Sequence, residues 1–222
     1  MNEVESIDGD IQLRLKQFFI GEKSVGLFVP DADQLRDKYT KGLIAFPFWG
    51  KVWPAAIALS EFILQHADYV QNKNLLELGA GLGLPSIVAA TYASSVVCSD
   101  REAEAVAVVK KSAGYNRLSN FSTRQLDWTT LSADVKTDVL LLSDVNYEPA
   151  SFELQQQMLM SFLDKGTTII LSTPQRLMAK SFFTPLLLSC IFQQEIAVAS
   201  EESIVNISVL VFRKASLPEV GA

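Results

Sequence analysis

The chain has 222 residues, 49% of them hydrophobic, and a net charge of -6: enough for one α/β domain with a buried core, without the broad cationic footprint of a nucleic-acid binder. A local basic groove stays open, and an acidic surface favours a basic protein or an amine as partner. Cys98 and Cys190 are too few for a disulfide framework or a thiolate metal cluster, and one histidine, His66, rules out triads and metal sites built on several histidines.

Met1 to Asp10 is acidic and lacks the regions of a signal peptide. No stretch approaches the roughly 18 apolar residues of a membrane span, so a cytoplasmic protein is expected. Asp10 to Ile20 alternates apolar and polar residues, and Ser24 to Val29 follows a Gly21-Glu22-Lys23 turn, which predicts a hairpin. Asp31 caps a short polar helix to Tyr39. This extension, residues 1–45, either covers a substrate mouth or protects a sheet edge.

Phe46 to Ala56 (FPFWGKVWPAA) is rich in aromatic residues and proline. Its aromatics either cover the core or wall a ligand site. Pro54 suits the first turn of a helix running to about Ala67, because a first-turn N–H has no helical partner. His66 reads as a solvated imidazole at that helix end. Leu75 to Leu78 predicts a strand, followed by a turn at Gly79, Gly81 and Gly83 and a helix from Pro85 to about Tyr92. Glycine suits a sharp strand-to-helix turn, which needs positive φ, and lets a ligand approach bare backbone. A dinucleotide fingerprint wants glycine at the sixth position, where this chain has Leu84.

The next apolar run, Ser95 to Ser99, ends in Asp100, where an acid suits a pair of ribose hydroxyls. Cys98 within it reads as a small core residue. Ala103 to Tyr115 predicts a covering helix, and Asn120 to Leu126 a third strand ending in Asp127-Trp128. Asp138 to Ser143 is nearly all apolar, as in a strand buried on both faces. It delivers Asp144-Val-Asn-Tyr147 to the carboxyl edge of the sheet, where open α/β sheets bind ligands. A helix over Ala150 to Leu163, a strand over Thr168 to Ser172, a helix over Gln175 to Cys190 broken at Pro185, and strands Ile191 to Ala199 and Ser203 to Phe212 complete the pattern. The last two strands are expected to pair antiparallel at the sheet edge, and 215–222 forms a tail.

Glu77-x-Gly79-x-Gly81-x-Gly83 with Asp100 resembles the class I S-adenosylmethionine-dependent methyltransferases, whose first motif is (D/E)-x-G-x-G-x-G followed by a second acid. Gly50-x-x-Trp53-x-Ala55-Ala56-x-x-Leu59 and Asp144-x-x-Tyr147 resemble the family-16 group, the seven-β-strand lysine methyltransferases. The resemblance covers about Gly50 to Lys214. It implies a Rossmann-like, doubly wound α/β sheet of seven strands, mostly parallel with an antiparallel last strand, following the N-terminal hairpin, and S-adenosyl-L-methionine as cofactor. It assigns cofactor contacts to Trp53, Glu77, Gly79, Ala80, Gly81, Gly83, Asp100, Trp128 and Ser143, and catalytic roles to Asp144 and Tyr147. Trp128 is either a stacking partner for the adenine or a rim aromatic; Trp49 reads as core.

The expected activity is methyl transfer to an amine nitrogen, first a protein lysine. A small-molecule N-methyltransferase and a cofactor-binding scaffold without chemistry are the alternatives. Asp144 binds and aims the amine, or caps the following helix; Tyr147 offers a ring face or an accepting hydroxyl. No metal, nucleic acid or membrane partner is expected.

Overall fold

The computed structural model describes residues 4–7, 11–146, 148–175, 179–200 and 203–214. At the amino end are β1 (Val4–Ile7), β2 (Ile11–Ile20) and β3 (Lys23–Pro30), then α1 (Ala32–Thr40). Next come α2 (Pro54–Gln65), β4 (Asn74–Glu77), α3 (Leu84–Ala89), β5 (Ser95–Asp100), α4 (Ala103–Tyr115), β6 (Phe121–Gln125) and β7 (Val139–Ser143). The chain continues through α5 (Phe152–Asp164), β8 (Thr168–Pro174), α6 (Ala179–Phe183), β9 (Cys190–Ala199) and β10 (Ile204–Phe212).

Seven strands form one sheet in the order β6-β5-β4-β7-β8-β10-β9. β4 pairs parallel with both β5 and β7, and β10 runs antiparallel to β8 and β9. This is the expected α/β sheet, with one reversed strand inserted ahead of the edge. Successive strand side chains point to opposite faces, and the core divides on that rule. Leu75, Val139, Leu141, Ile170 and Val209 join Phe62 of α2, Ile87 of α3 and Val108 of α4 in one cluster. Their neighbours Leu76, Leu140, Leu142, Ile169 and Leu210 join Leu159 and Phe162 of α5 in another. Strands covered on both faces have no polar side to show, which is why β7 is apolar at nearly every position.

The amino-terminal extension differs from a two-strand hairpin. β2 and β3 pair as expected, and β1 adds a third antiparallel strand through Val4↔Arg14 to Ile7↔Ile11. Four residues in an acidic segment carry too short a pattern to read as a strand. The hairpin packs on the helical layer, against α2, α3 and α4. Phe28 N donates to Ser112 Oγ of α4 at 3.0 Å. Asn116 accepts from Gly26 N at 3.2 Å and donates to Gly26 O at 2.7 Å.

Asp31 caps α1 by accepting from the amides of Asp33 and Gln34, each at 3.1 Å. Pro185 interrupts its helical segment as expected: α6 gives way to a 3-10 stretch, Thr184–Ser189. His66 departs from expectation. It is half-buried, with its ring 4.6 Å from Phe62 and 5.2 Å from Phe192 and a hydrogen bond to Gln194 at 3.1 Å. Sequence gives no warning, because β9 brings Phe192 and Gln194 there from 128 positions away. Residues 215–222 lie outside the described residues. Among the described residues no helix is long and apolar enough to cross a membrane.

Asn116→Ala removes both bonds to Gly26 and leaves its peptide groups unpaired in a half-buried seam. A loss of about 2 kcal/mol is expected, read from urea unfolding; a change below about 0.5 kcal/mol would show that the seam is held by packing alone.

Candidate active site

The strand order reverses between β4 and β7: β5 and β6 lie to one side, β8, β10 and β9 to the other. A cleft opens at the carboxyl ends of these strands, where such sheets bind ligands. Its floor is 79–84 and its walls are Asp100 to Glu102, Leu126 to Trp128, Ser143 to Val145, and part of 46–56.

Backbone geometry dictates the glycines. Gly79 has φ +64°, and a Cβ there would sit 3.0 Å from Trp128 Cζ3. Gly83 has φ +72°, and a Cβ would meet Val109 at 3.0 Å and Cys98 Sγ at 3.1 Å. A larger residue at either position combines a left-handed backbone with a steric clash. Cys98 is buried, which pushes its thiol pKa further up, so it acts as the small core residue expected.

Two acids hold the loop. Asp100, at the end of β5, accepts from Gly81 N at 2.8 Å and from Glu102 N at 3.0 Å. Burial raises its pKa, against the opposing pull of those two amides. Glu77 is fully buried behind the loop and does not line the cleft. Its Oε2 accepts from Ser86 N of α3 at 3.1 Å, while its Oε1 has no hydrogen-bond partner among the described residues. Burial pushes the Glu77 carboxyl up to about 8. It is therefore mostly protonated at neutral pH.

Asp144 follows β7 with φ +52°. Asp tolerates this left-handed region better than most residues do, and strain of this kind gathers at functional sites. Its amide donates to Ser172 O at 2.9 Å, holding the turn to β8. Asn146, two residues on, is fully buried, and neither end of its amide has a hydrogen-bond partner among the described residues. Tyr147 lies outside the described residues.

The aromatic segment does both things that its composition suggested. Trp49 is buried in the core while its backbone lines the cleft beside Gly81, and Phe46, Phe48 and Trp53 face the cleft. Trp53 Nε1 donates to Phe48 O at 2.7 Å, and Lys51 Nζ lies 3.8 Å from the centre of the Trp53 ring. Phe46 and Phe48 meet at a tilt of 55° with 4.5 Å between ring centres, and Tyr39 meets Phe46 at 5.3 Å, extending the aromatic row outward.

The cleft thus gathers Trp53, Gly79, Ala80, Gly81, Gly83, Asp100, Trp128, Ser143 and Asp144. Phe48 lines it as one of the aromatics expected to wall a ligand site, and Lys51, Arg101 and Asp127 also line it without having been given a role from the sequence. Lys51 was legible only as a basic residue inside the Gly50–Leu59 match. Among the described residues there is no cluster of metal-ligating side chains.

Residues 47–189 match the family model described as lysine methyltransferase. The chain belongs to that family. It is similar to human histone-arginine methyltransferase METTL23, at 34% identity over 108 residues, covering 46% of this chain and 57% of that protein. It is also similar to the human electron transfer flavoprotein beta subunit lysine methyltransferase, at 30% identity over 132 residues, covering 59% and 50%. The chain spans about half the length of such curated relatives. Among solved structures, the Thermus thermophilus 16S rRNA N2 G1207 methyltransferase superposes with a TM-score of 0.63 at 18% identity, over 91% of this chain and 51% of that one. The Bradyrhizobium japonicum N-methyltransferase NodS, with S-adenosylhomocysteine, gives 0.58 at 14%, over 72% and 86%. At those identities the likeness is one of fold.

Glu77 gives a pH signature. Its pKa in the fold, about 8, exceeds the ordinary carboxylate value, so the folded chain keeps a proton that the unfolded chain releases. That contribution is complete below about pH 4.5 and is lost as pH rises toward about 8, at up to about 1.4 kcal/mol per pH unit. Unfolding of Glu77→Gln is expected to lose less stability than wild type between about pH 5 and 7.5, by about 3 kcal/mol. Parallel curves would mean that Glu77 is ionised in the fold.

Proposed function

We propose that the chain is an S-adenosylmethionine-dependent N-methyltransferase acting on a side-chain nitrogen of a protein, lysine first. The observation that carries this reading is the meeting of the bare glycine turn, Asp100 and Asp144 in one cleft, in a chain of the lysine methyltransferase family. The fit to the cofactor rests on Gly79 and Gly83, where any Cβ would crowd the turn, and on Asp100, whose oxygens keep lone pairs to accept ribose hydroxyls beyond the two amides they bind.

When bound, S-adenosylmethionine supplies a methyl group already activated by its sulfonium. The protein's task is then positional, and most of the rate should come from orientation and electrostatics. Asp100 holds the ribose end, Trp128 and Trp53 offer ring faces, and Gly79 to Gly83 with Ser143 line the remaining floor. Glu77 is a positioning residue: through Ser86 it fixes the start of α3 and so the path of the glycine turn.

A lysine amine, with a reference pKa near 10.4, arrives mostly protonated and must lose that proton before it can attack. A carboxylate favours the ammonium, while a water-poor pocket favours the amine. Asp144 therefore attracts and aims the nitrogen, and the apolar wall of Phe46, Phe48 and Trp53 lowers its basicity. Tyr147, next in the motif, adds a ring face or an accepting hydroxyl. The net charge of -6 supports a basic protein segment over nucleic acid as acceptor. Cys98 and Cys190, both free thiols, support a cytoplasmic setting.

Arginine is the second reading, favoured by the 34% identity to a histone-arginine methyltransferase. A guanidinium is also cationic and suits the same acidic cleft, so mapping the product decides between the two.

The test incubates purified protein with methyl-labelled S-adenosylmethionine and an extract of the source cell. Label is expected in a discrete protein band, on lysine by mass spectrometry, and reduced by about a hundredfold or more in Asp144→Ala with cofactor affinity kept. Label on arginine would establish the second reading. Label confined to small molecules would replace both with a small-molecule enzyme, and cofactor binding without any transfer would point to a scaffold.

A further inference from the structure

The cleft wall carries four acids, Asp100, Glu102, Asp127 and Asp144, and two basic residues, Lys51 and Arg101. Arg101 lies just past β5, beside Asp100, and its Nε donates to Glu102 at 3.0 Å. Lys51 has no acidic partner among the described residues, and its ammonium rests on the face of Trp53, 3.8 Å from the ring centre. Contact with a ring leaves most of the ammonium's donors unused.

Three amides of the glycine turn are already committed. The amides of Ala80, Gly81 and Gly83 are already bonded, to Ser99 O at 2.9 Å, Asp100 Oδ2 at 2.8 Å and Ala80 O at 2.9 Å. Ser86 N is held by Glu77 at 3.1 Å. A ligand carboxylate entering this cleft therefore meets four carboxylates and three spent amides, and among the described residues Lys51 is the cation on the side away from β5 and Arg101.

We infer that Lys51 is the counter-charge for the α-carboxylate of the cofactor's amino-acid part. The inference rests on the methyltransferase reading above, and the fold fixes which end of the ligand is involved. Asp100 ends β5 and Trp128 follows β6, so the nucleoside lies toward that side of the sheet. The amino-acid end then lies toward β4 and β7, under 46–53, the segment that passes over the turn with the Trp49 carbonyl 3.5 Å from where a Gly81 Cβ would be. Lys51 projects from that segment. Trp53 holds the ammonium at the wall of the cleft.

Titration calorimetry with two ligands tests this: S-adenosylhomocysteine, and its decarboxylated analogue, which keeps the nucleoside, the thioether and the amine. Lys51→Met is expected to weaken S-adenosylhomocysteine by about tenfold, as for loss of one charge-assisted hydrogen bond, and the analogue by less than about twofold. Lys51→Arg keeps most of the affinity. Equal losses for the two ligands would overturn the inference and make Lys51 a prop for Trp53, as would unchanged affinity for both. A wild-type protein that binds neither ligand would instead overturn the methyltransferase reading itself.

Discussion

Between Glu77 and Leu84 the backbone leaves the middle of a buried sheet and enters a helix, through three left-handed glycines held from both sides. Asp100 grips the turn at Gly81 from the neighbouring strand, and Glu77 grips the helix start at Ser86 from beneath. Both acids are desolvated to do so, which raises both pKa values. The rest of the cleft is arranged around this turn. Trp128 occupies the space a Gly79 Cβ would need, Cys98 and Val109 the space a Gly83 Cβ would need, and the backbone at Trp49 passes over Gly81.

That arrangement sets the electrostatics of the site. A fold that places strand-end acids around a cleft offers a sulfonium or a side-chain cation several partners and a carboxylate almost none. Lys51 balances this within the aromatic segment, and the aromatic row from Tyr39 to Trp53 gives the cleft an apolar approach. An entering chain with a cationic tip and an aliphatic stem would meet apolar surface first and charge last.

How much of this was legible in sequence follows from the range of each interaction. The β7 run, the glycine spacing and the cap at Asp31 are local patterns with one physical solution, and they stand where expected. Asp144 was legible because a buried parallel strand delivers the residue after it to the ligand edge. The rest needed contacts across the chain. The enclosure of His66 depends on Phe192 and Gln194, the pairing of β1 on a partner strand, and the separation of Trp49 from Phe48 on which side of a 3-10 turn each falls. Glu77 illustrates the limit: its place in the motif was plain, but its position behind the loop depends on how α3 packs.

The boundaries of the family match take on another meaning beside the hairpin of β2 and β3. The matched segment, 47–189, contains the cleft but omits two parts of the scaffold that covers its sheet and helices. Val25, Leu27 and Phe28 share one core with Phe62, Ile87 and Val108, and β10 seals the flank of β8 through six residue pairs, Ile207↔Pro174 to Phe212↔Ile169. A fragment trimmed to the match would leave apolar helix surface bare and β8 as an open strand edge, a template for self-association. The matched portion is thus a site without an independent folding unit, and the flanking sequence is what covers its apolar helix surface and closes the edge of β8.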